Sequence, residues 1–387
     1  MDVLLVNPEN SRGKTLFREN NTYEPVELEQ IGGYFNAHNI TWDIWDGQVE
    51  KEPFVQRLAN SKPSVVYIQG KVFQEKFMLE YASCAHDLGC TVIVGGKYSQ
   101  GYPERFYKPF VDIILTTGNL SIITTAVKND ASLYRPSKED NYSFLPDRQY
   151  FIEKSALYQI YGHQNCARVF AFGPDGLKKT ATALADEILS LKVTDIFIDS
   201  DFLDDKKYVE EFIEVMNDKG ILRRLILRGN SRFTAQHPGT MKALYDIGLC
   251  MVISEFSTAE DISAKSVKGK KIQTVDEQSA EILKALGINV VGKFTVKLTD
   301  RPEDFSRILK FVKRNKIKRF SVEIFQPPYT RELFLNKAYR ANIITTDPAA
   351  WDKYHITMNP TNMTVKEFYF NYYELMVKLS IRRFFEG

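Results

Sequence analysis

Residues 61–96 read SKPSVVYIQG KVFQEKFMLE YASCAHDLGC TVIVGG, and this stretch decides the fold class. Val65–Gln69 is an apolar, β-branched run entered from Pro63, which predicts a buried strand. Phe77–Leu88 has helical spacing and stops at Gly89. Thr91–Val94 is a strand again, closed by Gly95-Gly96. Strand, helix and strand joined by short connections form the unit of a parallel sheet. Working towards the N-terminus, Thr41–Trp45 predicts a strand closed by Asp46-Gly47. Glu24–His38 predicts a helix with Val26, Leu28, Ile31 and Phe35 on one side. Asp2–Asn7 predicts a strand ended by Pro8. On the other side, Asp112–Leu115 predicts a fifth strand. Residues 1–128 therefore predict a doubly wound, Rossmann-like domain. Ligands of such sheets lie beyond the carboxyl ends of the strands, here at Pro8–Lys14, Gly70–Gln74, Gly95–Gly101 and Thr116–Asn119.

Residues 129–155 are polar, with Pro136 and Pro146, and predict a surface linker. From residue 156 the alternation resumes. Strands are expected at Arg168–Phe172, Asp195–Ile198, Arg224–Leu227, Met251–Ser254, Val290–Val296 and Phe320–Phe325, with helices between them. Six βα units in residues 156–330 predict a partial (β/α)6 barrel, since a full eight-strand barrel takes about 250 residues. Residues 331–387 read as a helical C-terminal region with a long amphipathic segment, Val365–Phe385.

Composition narrows the function classes. Lys and Arg number 51 against 49 Asp and Glu, a net charge of +2, which gives neither nucleic acid nor an acidic membrane the basic face it needs. No apolar run is long enough to span a bilayer. The start, MDVLLVNPEN, lacks a basic region and cleavage site, so no secretion signal is expected there. The four cysteines (Cys84, Cys90, Cys166 and Cys250) form no CxxC pair, which argues against zinc knuckles and a disulfide framework. A cytoplasmic protein acting on a small-molecule substrate is the expectation.

Several residues carry chemistry. Gly95-Gly96 at a strand end lets backbone approach a planar ligand or a phosphate, or makes an ordinary turn; Gly118 sits one unit later at the same edge. Asp199 and Asp201 close the second barrel strand, where carboxylates hold hydroxyls, an amino group or a metal. The alternative is a solvated loop, with Asp204 capping the next helix. Arg228 and Glu255 end consecutive strands, where they clamp a zwitterion or pair with each other. His163 and Cys166 lie before the first barrel strand, and His-x2-Cys without further ligands is not a metal site.

The order of these pieces resembles the cobalamin-binding-domain radical S-adenosylmethionine proteins over nearly the whole chain. The family's first strand ends Asn-Pro, as Leu5–Pro8 does. Leu28–Tyr34 is similar to its Leu-x-x-Ile-Gly-x-Tyr helix, Pro63–Ile68 to its Pro-x-Val-Val-x-Ile strand, and Val92–Gly96 to its Val-Ile-x-Gly-Gly. Pro103-Glu104 and Val111–Ile114 follow in order. In the second half, Asp186-Glu187, Asp195–Phe202, Arg228, Ile247-Gly248, Ser254-Glu255, Lys268-Gly269, Leu286–Ile288 and Pro328–Thr330 keep the family's sequence of motifs.

One departure concerns the family's defining chemistry. Its Arg-Gly-Cys-x3-Cys-x2-Cys loop aligns with Tyr161-Gly162, and the cysteine positions fall on His163, Ala167 and Phe170. A [4Fe–4S] cluster needs thiolates, so the cluster is expected to be absent. The resemblance then implies a cluster-free relative that binds cobalamin and performs polar methyl transfer from S-adenosylmethionine. In that reading Asn7, Gly70, Gly95, Gly96 and Gly118 line the corrin. Asp199, Asp201, Arg228 and Glu255 orient S-adenosylmethionine or substrate, and His163 is a proton donor or a ligand in the vacated cluster position. A non-catalytic subunit that pairs with a radical S-adenosylmethionine paralogue, or a tetrapyrrole carrier, is the alternative. A conventional enzyme with its cluster ligated elsewhere is the third reading.

Overall fold

A computed structural model describes residues 1–10, 21–129, 145–172, 177–257 and 273–386, with the side chains of 382–386 excepted. Two parallel sheets organise the chain. The first contains β1 (Val3–Asn7), β2 (Trp42–Asp46), β3 (Val65–Gln69), β4 (Thr91–Gly95) and β5 (Ile113–Ile114), in the order β2-β1-β3-β4-β5. Val3 pairs with Trp42 on one side and Val65 on the other, so the chain changes direction across the sheet at β1 and β3. Such a switch point opens a crevice at the carboxyl ends. The central strands β1, β3 and β4 are largely apolar because both faces are covered. Val3, Leu5, Val65, Tyr67 and Ile93 pack with the Val26–Ala37 helix on one face; Leu4, Val6, Val66, Ile68, Val92 and Val94 pack with Met78, Ala82 and Ala85 of the Glu75–Asp87 helix on the other.

Next comes a short antiparallel hairpin, β6 (Gln159–Ile160) and β7 (His163–Gln164). Its two-residue turn, Tyr161-Gly162, has φ of 46° and 85°, the positive pair that a tight hairpin turn demands.

The second sheet runs β8 (Ala167–Val169), β9 (Asp195–Ile198), β10 (Arg224–Gly229), β11 (Leu249–Glu255), β12 (Asn289–Val296) and β13 (Arg319–Ile324), in consecutive order and all parallel. This is the partial barrel of six strands. Phe197, Ile226, Met251, Ile253 and Val291 fill its interior, joined by Ile160 of the hairpin and Cys166. Alternate residues face the surrounding helices.

Two expectations need correction. Residues 130–144 of the expected linker lie outside the described residues, but 145–155 do not cross the surface as a polar linker. Gln149–Lys154 is helical, Tyr150 and Phe151 are buried, and Arg148 is almost fully enclosed. The Tyr150 hydroxyl donates to Glu50, 2.9 Å away, so the segment is used to join the halves. The region 331–387 is also less helical than expected. Beyond the short Arg331–Leu335 and Lys337–Arg340 helices, an irregular stretch contains the Ile343–Met358 bridge and reaches the long Val365–Glu386 helix. Trp351 of that stretch is buried in the first sheet's core with Tyr329 and Leu333. Among the described residues no helix is long and apolar enough to cross a membrane.

Candidate functional site

Strand register builds the mouth of the barrel. Arg168 pairs with Phe197, and Val169 and Leu227 both pair with Ile198. Side chains alternate, so Arg168, Asp199 and Arg228 face the interior near its carboxyl end. Arg168 Nε donates to Asp199 Oδ2 at 2.6 Å, and Arg228 Nε donates to Oδ1 at 2.5 Å. Burial alone would raise the Asp199 carboxyl, but the two guanidinium groups outweigh it and hold the group below the usual range. Arg168 stacks 4.5 Å from Phe170 and 5.5 Å from Tyr23, and reaches Glu27 of the first half at 3.3 Å. Arg228 lies 5.8 Å from the Phe197 ring.

The first half faces this mouth with Lys71, at the carboxyl end of β3. Burial lowers the Lys71 pKa, and Arg168 lowers it further against Glu27 and Asp199. The lysine makes no ion pair among the described residues, and its ammonium group is near enough to Arg168 to feel its charge. Near the same end of the barrel Lys293 meets Glu255 and Glu323 at 3.3 Å each, and Lys353 meets Glu323 at 3.0 Å.

Sequence-predicted residues divide between this cleft and other places. Asp199, Arg228 and Glu255 lie at the mouth. Arg228 and Glu255 do not pair with each other: Arg228 takes Asp199, while Glu255 takes Lys293. Asp201 is exposed and has no ion pair or hydrogen bond among the described residues. Asp204 does not cap the following helix; Asp205 does, through the Tyr208 amide, while Asp204 accepts from Asn230. Gly70, Gly96 and Gly118 are partly exposed along the edge of the first sheet, with Thr116 and Thr117 open beside Gly118.

Asn7 is committed to structure. Its Nδ2 donates to Asp46 Oδ1 at 2.9 Å, and Asp46 also accepts from the Tyr158 hydroxyl at 2.8 Å. Gly95 makes room for the protein's own side chain. A Cβ there would lie 2.2 Å from Tyr67 Oη. Gly96 has φ of 88°, a left-handed backbone suited to glycine.

His163 stands apart. Its Nδ1 pairs with Asp195 Oδ2 at 2.7 Å. Asp195 begins β9 and Asp199 follows its end, so four residues, about 13 Å of strand, separate the histidine's partner from the mouth. His163 is therefore at the amino end of the barrel and not beside Asp199. The other two aligned cysteine positions are separated as well. Ala167 is within β8 and packs outward against helices, and Phe170 lies beyond its carboxyl end. Cys166 is buried in the barrel interior, where burial pushes its thiol well above the usual range. No group of three or more His, Cys, Asp or Glu suited to a metal ion occurs among the described residues.

Lys71 lies in the Gly70–Gln74 loop that the sequence put at the ligand edge, but nothing there singled it out. Arg168 had a signal in its alternation with Ala167 and Val169, whereas Glu27, one glutamate on a helix, carried none.

No family model matches the sequence, and no curated protein matches it significantly. The chain is similar in structure to TsrM, a radical S-adenosylmethionine methyltransferase from Kitasatospora setae, whose structure holds cobalamin and a [4Fe-4S] cluster. The TM-score is 0.61 at 12% identity, over 98% of this chain and 91% of TsrM. It is also similar to OxsB, a cobalamin-dependent S-adenosylmethionine radical enzyme with aqua-cobalamin and S-adenosylmethionine bound. There the TM-score is 0.55 at 14% identity, over 97% of this chain and 56% of OxsB. The chain spans little more than half of OxsB. At such identities the likeness is one of fold: a Rossmann-like sheet followed by a partial barrel, as the resemblance implied.

Proposed function

We propose that this chain binds cobalamin and an anionic or zwitterionic small molecule in the cleft between its carboxyl edges, and promotes polar methyl transfer there with S-adenosylmethionine as donor. The observation that carries this reading is the convergence of Lys71 from one half with the Arg168–Asp199–Arg228 network of the other. Ligand sites of such folds lie where carboxyl edges meet.

The residues fit a flat macrocycle along Gly70, Gly96 and Thr116–Gly118, where side chains are small or absent and the edge is partly open. Asn7 also pairs with Asp46, and Gly95 packs closely against Tyr67. Cobalamin, when bound, supplies two-electron methyl-transfer chemistry. The chain's own groups bind and orient. Lys71 and Arg228 present donors to a carboxylate or amide oxygen, Asp199 fixes both guanidinium planes, and exposed Asp201 and Glu255 attract an ammonium or sulfonium group. Against radical chemistry stands the residue set itself: the aligned positions offer imidazole, methyl and phenyl groups, spread along a strand.

A second reading, a non-catalytic subunit that docks on a catalytic paralogue, is favoured by two observations. Asp199 is already satisfied by two arginines. In the C-terminal helix Phe368 and Tyr372 are core, but Phe370 is 69% exposed.

The test is to purify the chain with hydroxocobalamin and record its visible spectrum and iron content. Corrin bands that co-elute without iron, and that Gly96→Trp removes, are the expected result. A colourless protein overturns cobalamin binding and favours the docking subunit; about four irons per chain, the content of one [4Fe–4S] cluster, overturn the polar mechanism.

A further inference from the structure

A cavity of about 450 Å³ opens between the first half and the C-terminal region, lined by Tyr102 and Arg105 beyond β4 and by Tyr329, Phe334, Arg340 and Ile343 from the other side. Its size lies within the usual range of small-molecule sites, roughly 300–1,000 Å³. One wall is aromatic. The Tyr102 ring lies 5.9 Å from Tyr329 and 6.0 Å from Phe334, and Phe334 lies 4.8 Å from Tyr329. Tyr329 is committed to packing: it is buried against Trp351, and its hydroxyl donates to the Thr346 carbonyl at 3.0 Å. Tyr102 and Phe334 are only half-buried, so ring surface stays open to the cavity. Two guanidinium groups complete the lining. Arg105 is fixed from behind: Nε donates to Glu75 Oε2 at 2.9 Å, Nη2 donates to Oε1, and the buried Glu75 also accepts from the Tyr98 hydroxyl. Arg105 Nη1 is left without a hydrogen bond among the described residues. The neighbouring carboxylate, Glu104, is taken by Arg331 at 2.7 Å. Arg340 is exposed and makes no ion pair or side-chain hydrogen bond among the described residues.

We propose that this cavity is a second ligand site and takes a small aromatic carboxylate. The ligand ring packs on Tyr102 and Phe334, where offset aromatic contacts add to the apolar area. Its carboxylate accepts from Arg105 Nη1 and from the Arg340 guanidinium, charge-assisted bonds that a neutral ligand does not match. Glu75 and Tyr98 hold the Arg105 plane in position, so little ordering is left for the ligand to impose. The cavity lies on the side of the first sheet that packs with Trp351 and the Glu75–Asp87 helix. The short Gly96–Gly101 helix, about 9 Å of rise, separates Tyr102 from Gly96. The site shares no residue with the interdomain cleft and does not depend on what that cleft binds.

Benzoate is the probe, with benzamide as its uncharged counterpart, followed by calorimetry and saturation-transfer NMR on the full chain. The wild type should bind benzoate and prefer it about tenfold over the amide, the worth of a charge-assisted hydrogen bond. Phe334→Ala should weaken both ligands. Arg340→Glu reverses a charge at an exposed position of the short Lys337–Arg340 helix and should abolish the preference for the acid, which keeps the test open if Phe334→Ala fails to fold. Lys313→Ala removes an exposed cation from the Pro302–Arg314 helix, outside both the cavity and the cleft, and should bind as the wild type does. No binding by the wild type, no preference for the acid, or binding lost in Lys313→Ala would overturn the proposal. Benzoate binding that survives Arg340→Glu but is lost in Lys71→Ala would place the anion in the interdomain cleft and overturn it as well.

Discussion

Arg148→Met tests whether one guanidinium group holds the two halves together. Arg148 meets three carboxylates: Nη1 lies 2.6 Å from Glu24 and 3.5 Å from Glu29, and Nη2 lies 2.8 Å from Glu187. Nη1 also donates to the Arg168 carbonyl at 3.0 Å. Glu24 and Glu29 belong to the first half, and Glu187 to the Ala181–Ser190 helix of the second. Methionine retains an unbranched apolar stem and removes the charge, so electrostatics dominates the loss. Breaking a buried ion pair on one side costs about 3–5 kcal/mol. At roughly 2 °C per kcal/mol for a chain of this size, the melting temperature should fall by roughly 6–10 °C. The pH dependence is more diagnostic. Burial first, and Glu24 second, already push the Glu29 carboxyl well above its usual range. The folded chain then keeps a proton that the unfolded chain has released. Stability therefore falls as pH rises from the unfolded value, about 4.3, towards the folded one. Without Arg148 the Glu29 carboxyl loses the cation that lowers it, and the window extends upwards. The deficit measured by circular dichroism melts should be larger near about pH 8 than near about pH 5. A variant that melts with the wild type, or whose deficit is the same at both values, refutes the reasoning.

Asp46→Asn should flatten stability in a lower pH window. Burial, only partly offset by hydrogen bonds from Gln48, Tyr158 and Asn7, pushes the Asp46 carboxyl up to about 6. Because this folded value exceeds the unfolded one, the wild type loses up to about 3 kcal/mol as pH rises from about 4 to about 6; urea titrations should show that slope reduced in the variant, and an unchanged slope counts against the assignment. Gly95→Ala places a methyl 2.2 Å from Tyr67 Oη and should cost about 1–3 kcal/mol by overpacking. Adding Tyr67→Leu should recover part of that loss, whereas a strictly additive double variant would put the strain elsewhere. Cys166 is 1% exposed and burial raises its thiol, so a thiol reagent near neutral pH should label the more open Cys84 first. Equal labelling rates in the folded protein would contradict the packing.

The parallel strands were legible because burial on both faces leaves unbroken apolar runs. Val65–Gln69 and Asp195–Ile198 have the same ends in sequence and structure. The glycine at position 95 was read as room for a ligand, but the feature that fills it, Tyr67, belongs to the neighbouring strand and enters only through their register. The pairing of Arg228 was unreadable for the same reason. Sequence placed Arg228 and Glu255 at neighbouring strand ends, yet Asp199 on the other side of β10 comes closer and Lys293 draws Glu255 away. Pairing between charges on different strands is a property of register and barrel curvature, which no local pattern carries.

The aligned trio shows why a motif can preserve order and still mislead about place. His163, Ala167 and Phe170 are neighbours in sequence, and a loop would let three such positions converge on one cluster. Here the chain from 163 to 170 contains the end of a hairpin and an extended strand. His163 stands at the amino edge, Ala167 faces the outer helices, and Phe170 lies at the carboxyl edge against Arg168. From Ala167 to Phe170 alone the backbone advances about 10 Å. Replacing all three with cysteine should therefore leave the protein unable to assemble a cluster on reconstitution with iron and sulfide. A brown, iron-loaded triple variant would mean that this segment can leave the strand, and the β8 register with Ile196–Ile198 would then be wrong.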